Sequence, residues 1–251
     1  MTLEEAIAKI KPLDHNAMEI AQKRWDSIAK PLHSLGKLET LLIQIAGITG
    51  NAEVDLSRRG LIAMCADNGV VEEGVTQTGQ EVTAIVAENF LKYDTSVGVM
   101  CKQNHAEIFP VDMGMVTDTK VRTDHKIAYG TQNMTKGPAM TREQAVKGLE
   151  AGIDMVRELN DKGYRILATG EMGIGNTTTS TAVAAALLDL EVEQVTGKGA
   201  GLTDEALKRK CRVIKEAIEK YSLRDADAFT ILKTVGGLDI AGLTGVFIGA
   251  A

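Results

Sequence analysis

Three acidic residues in this chain stand at the ends of apolar runs, each followed closely by glycine. They are Asp67 in Ala66-Asp67-Asn68-Gly69, Asp112 in Val111-Asp112-Met113-Gly114 and Glu171 in Gly170-Glu171-Met172-Gly173. Carboxylates accept hydrogen bonds from sugar hydroxyls and take a proton from a weakly acidic nucleophile. Glu171 lies in the densest stretch of such residues, 168–182, with Gly170, Gly173, Gly175, Asn176 and a row of hydroxyls from Thr177 to Thr181. Glycines between a strand and a helix leave backbone N–H groups free to hold an anion. Strand-end acids also serve as plain helix caps. Three of them together with a glycine loop point instead to a nucleotide or sugar-phosphate site, with the reacting group near Glu171.

These residues need elements to hold them. The short, partly β-branched run 164–168 predicts a strand entering the loop, and the alanine-rich run 182–188 a helix leaving it. Residues 61–66 are apolar without alternation, as in a parallel strand covered on both faces. The run 106–111 is a third strand, and Pro110 moves it towards an edge. Helices are expected from Asp14, with Met18, Ala21, Trp25 and Ile28 on one face, over 37–47, 80–91 and 96–103. The stretch 117–138 reads as a long loop with a short strand near Ile127. Thr141 and Gln144 match a capping box opening a long helix that Gly163 stops. A second glycine loop, Gly197, Gly199 and Gly201, precedes a helix capped by Thr203, with Lys210 beside its apolar stripe at the core border. Gly236 and Gly237 open a last helix through Asp239 to Ala251. This alternation predicts an α/β fold with a mainly parallel sheet flanked by helices. Ligands bind at the carboxyl ends of such strands, so the three carboxylates are expected to converge there.

Composition narrows the partners. The 251 residues are 44% hydrophobic and 25% charged, as in a soluble globular protein. A net charge of −6 with no basic block argues against nucleic acid. No apolar run reaches bilayer length and the first residues carry no signal peptide, so no membrane contact and a cytoplasmic site are expected. Cys65, Cys101 and Cys211 are far apart and odd in number, which reads as reduced buried thiols. The four histidines lack metal-ligand spacing, and neither a metal nor a cofactor is expected. The glycine loop lacks the lysine of a phosphate-binding P-loop, and its spacing departs from the dinucleotide fingerprint.

The motif Gly170-Glu171-Met172-Gly173-Ile174-Gly175-Asn176-Thr177-Thr178 resembles the signature of the nicotinate-nucleotide–dimethylbenzimidazole phosphoribosyltransferases. Similar stretches follow the family's order at 31–39, 66–70, 80–83, 197–201 and 236–241. The resemblance implies transfer of phosphoribose from nicotinate mononucleotide to an aromatic base, giving an α-ribazole-type phosphate and nicotinate in cobalamin nucleotide-loop assembly. It implies a homodimer with a Rossmann-like domain, here 56–251, and a small helical subdomain, here 1–55. Carried over by position, Glu171 and Lys210 are the catalytic candidates. Gly173, Ile174, Gly175, Asn176, Thr177, Thr178, Gly199 and Asp239 fall to phosphate and ribose. Asp67, Thr78, Ile85 and Met172 fall to the base pocket.

Two departures set further expectations. Thr78 stands where the family carries tyrosine and Ile85 where it carries glutamine, which predicts a shifted base preference. The family's pattern also continues past Ala251 and carries a glutamate, the usual general base, in a glycine-rich segment absent from these residues. On that pattern Glu171 is the remaining base, and the 251 residues alone are expected to turn over little, leaving a partner-dependent nucleotide-binding subunit as the alternative.

Overall fold

A computed structural model describes residues 1–251. Three helices come first: α1 (Leu3–Lys9), α2 (His15–Ser27) and α3 (Lys37–Thr49). Strand β1 (Arg59–Ala66) is followed by α4 (Glu81–Lys92), α5 (Ser96–Gln103) and β2 (Ala106–Gly114). Helix α6 (Arg142–Asp161), strand β3 (Ile166–Met172) and α7 (Asn176–Leu187) continue the alternation. The chain closes with α8 (Val192–Val195), α9 (Asp204–Lys220), α10 (Ala228–Val235) and α11 (Leu238–Ala250).

The sheet has three parallel strands in the order β2-β1-β3, so all three carboxyl ends lie together. Side chains alternate across β1 with period two. Ile62, Met64 and Ala66 pack with Val111 and Met113 against Leu149, Met155, Leu238 and Ala241 of α6 and α11. Leu61, Ala63 and Cys65 pack against Ala87, Phe90 and Cys101 of α4 and α5. That sandwich explains why β1 carries apolar residues on both faces. Helices α6 and α11 approach through glycine: a methyl on Gly152 would collide with Gly242 O, and one on Gly245 with Leu149 O. A second core joins α7, α9 and α10 through Ala182, Ala185, Ile214, Ile218 and Val235.

Local signals behave as their chemistry requires. The Asp14 side chain accepts from Ala17 N, Thr203 from Ala206 N, and Thr141 and Gln144 form the reciprocal capping box. Five expectations need correction. β3 starts at Ile166 and takes in Gly170, Glu171 and Met172, because they pair with Ala63, Met64 and Cys65 of β1. α7 starts at Asn176, so Asn176, Thr177 and Thr178 form its first turn and are not loop residues. Asp112 lies inside β2, opposite Cys65. No strand forms at Ile127; its N–H bonds to Met113 O, and Arg122 makes one isolated bridge to Val111. α10 was not expected, its glycine-poor apolar run being too short to stand out.

α2 and α3 pack mainly on each other, while α1 leans on α6 and the Met1 ammonium pairs with Asp154 at 3.0 Å. The outer edge of β3 has no strand beside it, and Ile166, Ala168 and Thr169 are exposed.

Candidate functional site

The turn from β3 into α7 is built on two glycines that admit no other residue without cost. Gly173 passes so close to β1 that a methyl there would collide with Ala66 O. Gly175 has φ of +95°, left-handed backbone that disfavours side chains. Within this turn Asn176 N–H bonds to Gly173 O at 3.0 Å and Thr178 N–H to Gly175 O at 2.9 Å. The N–H groups of Gly175 and Thr177 find no acceptor in the chain. Free donors at the start of a three-turn helix make an anion site.

The turn forms one wall of a cavity of about 180 Å³. Glu171 through Thr177 supply that wall, residues 75–78 the second and residues 198–200 with Leu202 the third. Gln77 Nε2 donates to Gly201 O and links the last two. Lys210 sits beneath, fully buried on α9. Its ammonium donates to Thr177 Oγ1 at 2.7 Å and Gly197 O at 3.2 Å, and no carboxylate pairs with it. Burial lowers its pKa. A buried ammonium without a counter-ion is costly, and an anion at the α7 N-terminus would supply one. Gly199, at φ +56°, folds over this pair, the place of a methyl there lying 2.9 Å from Thr177 Oγ1.

Glu171 opens onto the cavity and bonds to Asn176 Nδ2. Desolvation by the surrounding walls raises its carboxyl pKa. Gly173, Ile174, Gly175, Asn176, Thr177, Gly199, Met172 and Thr78 all line the same cavity. The structure therefore assembles most of the residues singled out from sequence.

Four of them stand elsewhere. Ile85 is exposed on α4, one turn past its start, and does not line the cavity. Thr178 is buried behind the cavity, its hydroxyl without a partner. Asp239 is buried in the first turn of α11, where burial, then the Glu171 charge, push its pKa up to about 7. Asp67 is buried with Oδ2 accepting from Val116 N at 2.9 Å, and burial raises its pKa. Asp112 is also structural: it accepts from Met115 N at 2.8 Å and lies 3.2 Å from Lys126 Nζ. The carboxylates thus share one end of the sheet but not one surface. The loop after β2 folds over two of them, through Thr131 N to Asp67 O and Gly130 N to Gly114 O, and leaves Glu171 open. Asn68 and Thr83 lie inside the family-like stretches 66–70 and 80–83 and Gln77 precedes Thr78; no local pattern marks them as parts of the site.

The phosphoribosyltransferase family pattern matches residues 10–251. The nicotinate-nucleotide–dimethylbenzimidazole phosphoribosyltransferase of Clostridium tetani is 45% identical over 251 residues, 99% of this chain and 69% of that protein. The protein of the same name from Ruminiclostridium cellulolyticum is 48% identical over 253 residues, 100% of this chain and 72% of its own length. The crystal structure of CobT from Thermus thermophilus superposes with a TM-score of 0.85 at 33% identity, over 93% of this chain and 71% of that one.

Proposed function

Because the chain belongs to the family of nicotinate-nucleotide–dimethylbenzimidazole phosphoribosyltransferases, we propose that its cavity holds nicotinate mononucleotide and an aromatic base. The reaction moves phosphoribose from the first to the second in assembly of the cobalamin lower ligand. The observation that carries the reading is Lys210, buried without a carboxylate, under free helix N–H groups and close to the wall that holds Glu171.

The 5′-phosphate lies at the N–H groups of Gly175 and Thr177, with the Lys210 charge behind Thr177. This fixes the ribose, so the base meets it in line, an entropic advantage that can reach about 7–11 kcal/mol. The base rests between Met172 and Thr78. Its ring nitrogen forms a bond to the anomeric carbon from the face opposite nicotinate, inverting β to α. The old bond's electron pair returns to the nicotinate nitrogen and cancels its positive charge, which makes nicotinate a good leaving group. Glu171 takes the proton that the base must lose, and desolvation, by raising its pKa, makes it a stronger base than an exposed carboxylate. Thr78, with no ring to stack, supports a preference shifted from dimethylbenzimidazole towards another benzimidazole, a purine or a phenol.

The molecule works as a homodimer in the cytoplasm. Exposed Leu32, Leu35, Leu38 and Leu41 around α3 support the first statement, and three buried, unpaired cysteines the second. Residues 1–55 and 56–251 form its two units.

Calorimetry with nicotinate mononucleotide, and an assay of nicotinate release against a panel of bases, test the reading. Lys210→Ala is expected to weaken mononucleotide binding by about 10- to 100-fold, the worth of a charge-assisted hydrogen bond. Unchanged affinity in that variant would remove Lys210 from the phosphate site.

A further inference from the structure

The middle residue of the anion turn is gripped from behind by two side chains that have no part in the site so far. Ile174 N–H donates to Thr83 Oγ1 at 3.0 Å, and Ile174 O accepts from Asn68 Nδ2 at 3.4 Å. Thr83 lies in the first turn of α4 and Asn68 just after β1; both are fully buried. Neither lines the cavity.

The geometry of the peptide bond gives this grip a consequence. A trans peptide is planar, and its C=O and N–H point in opposite directions. The carbonyl of Ile174 and the N–H of Gly175 belong to one such unit. Holding the carbonyl inward on Asn68 turns the Gly175 N–H outward, and that N–H is one of the two free donors on the cavity wall. The Thr83 bond fixes the preceding unit, whose carbonyl, Gly173 O, anchors Asn176 N–H. Both amide planes of the turn are therefore set before any ligand arrives.

The gripping residues are themselves held. Asn68 Oδ1 accepts from Thr179 Oγ1 at 3.4 Å, and its backbone carbonyl accepts from Gln80 Nε2 at 3.2 Å. Thr83 is fixed on the first turn of α4, its backbone N–H donating to Gln80 O at 3.1 Å.

We propose that Asn68 and Thr83 are positioning residues that aim the Gly175 N–H at the substrate's phosphate. The proposal rests on the phosphate reading above. Preset donors of this kind bind an anion without reorganising when it arrives.

Amide NMR and calorimetry on the full chain test it, with nicotinate mononucleotide and inorganic phosphate as probes. Adding either probe to the wild type should shift the Gly175 amide strongly. Thr83→Val, which keeps the shape and loses the acceptor, should weaken mononucleotide binding about tenfold, the scale of one hydrogen bond. Thr83→Ser, which keeps the hydroxyl, should bind within about twofold of wild type, a rescue that mere packing would not produce. Wild-type protein that binds neither probe overturns the phosphate reading and the proposal with it. Wild-type binding that leaves the Gly175 amide unmoved overturns the proposal alone, and so does a Thr83→Val variant with wild-type affinity. The first of these needs no variant, so misfolding of Thr83→Val does not shelter the idea.

Discussion

The wall proposed to hold phosphate, the phosphate wall, and the wall proposed to face the base, the base wall, are secured by different means. On the phosphate wall, the turn 173–175 is pressed on β1, gripped by buried Asn68 and Thr83, and backed by buried Lys210. On the base wall, residues 75–78 are tied by Thr76 Oγ1 to Thr78 O at 2.9 Å, by Arg209 to Gly74 O at 3.2 Å and by Gln77 to Gly201 O. Gln77 and Thr78 are exposed, as is Ile85 beyond them. Buried hydrogen bonds are costly to break, whereas exposed ones exchange readily with water. A phosphate presents one shape and charge and suits a preset cradle; aromatic bases vary, and a wall of exposed side chains adapts by substitution.

The largest test of this contrast lies at the start of the phosphate wall, at Glu171. In an activity-competent context, Glu171→Gln should lower turnover by about 10²- to 10⁴-fold, the usual worth of a positioned general base, while leaving mononucleotide affinity near wild type. The pH profile carries the sign. A base works ionised, so wild-type turnover should climb with pH through a value above the usual carboxylate range, because desolvation raises Glu171. The variant should lose that limb. A variant with the wild-type profile would take Glu171 out of proton transfer.

A smaller difference separates the walls in stability. Gly175→Ala places a side chain at φ +95° and 3.0 Å from Val71, which should cost about 1–2 kcal/mol in urea unfolding. Thr78→Ala, exposed on the other wall, should stay within about 0.5 kcal/mol of wild type. Equal losses would show that the two walls are held alike.

The smallest effect concerns choice of base. Thr78→Tyr restores a stacking ring worth about 0.5–1.5 kcal/mol, so relative kcat/KM should move about tenfold at most towards dimethylbenzimidazole. Affinity for the mononucleotide should not change. A shift in that affinity would mean that the walls are coupled through Gln77 and Gly201.

Much of the fold was legible because its signals are local. Asp14, Thr141 and Thr203 cap helices through neighbours three residues on, and the unbroken apolar run of β1 announces a strand covered on both faces. Glu171 and the turn glycines stood out for the same reason, being contiguous in sequence. Lys210 did not: beside an apolar stripe it reads as a border residue, and its burial depends on where α9 meets the 197–199 loop. Asp67 and Asp112 carry the same strand-end signature as Glu171, yet a loop folded over them makes them structural.

The order of residues by itself marked the 173–175 turn as a candidate anion site, since glycines between a strand and a helix leave backbone N–H groups free. It determined the family too, through motifs spread along most of the chain. Tertiary structure alone decided which of three similar carboxylates faces the cavity, and which buried side chains aim the turn's amides. Those outcomes depend on contacts between residues as distant as 68 and 174, or 177 and 210, and no local pattern encodes them.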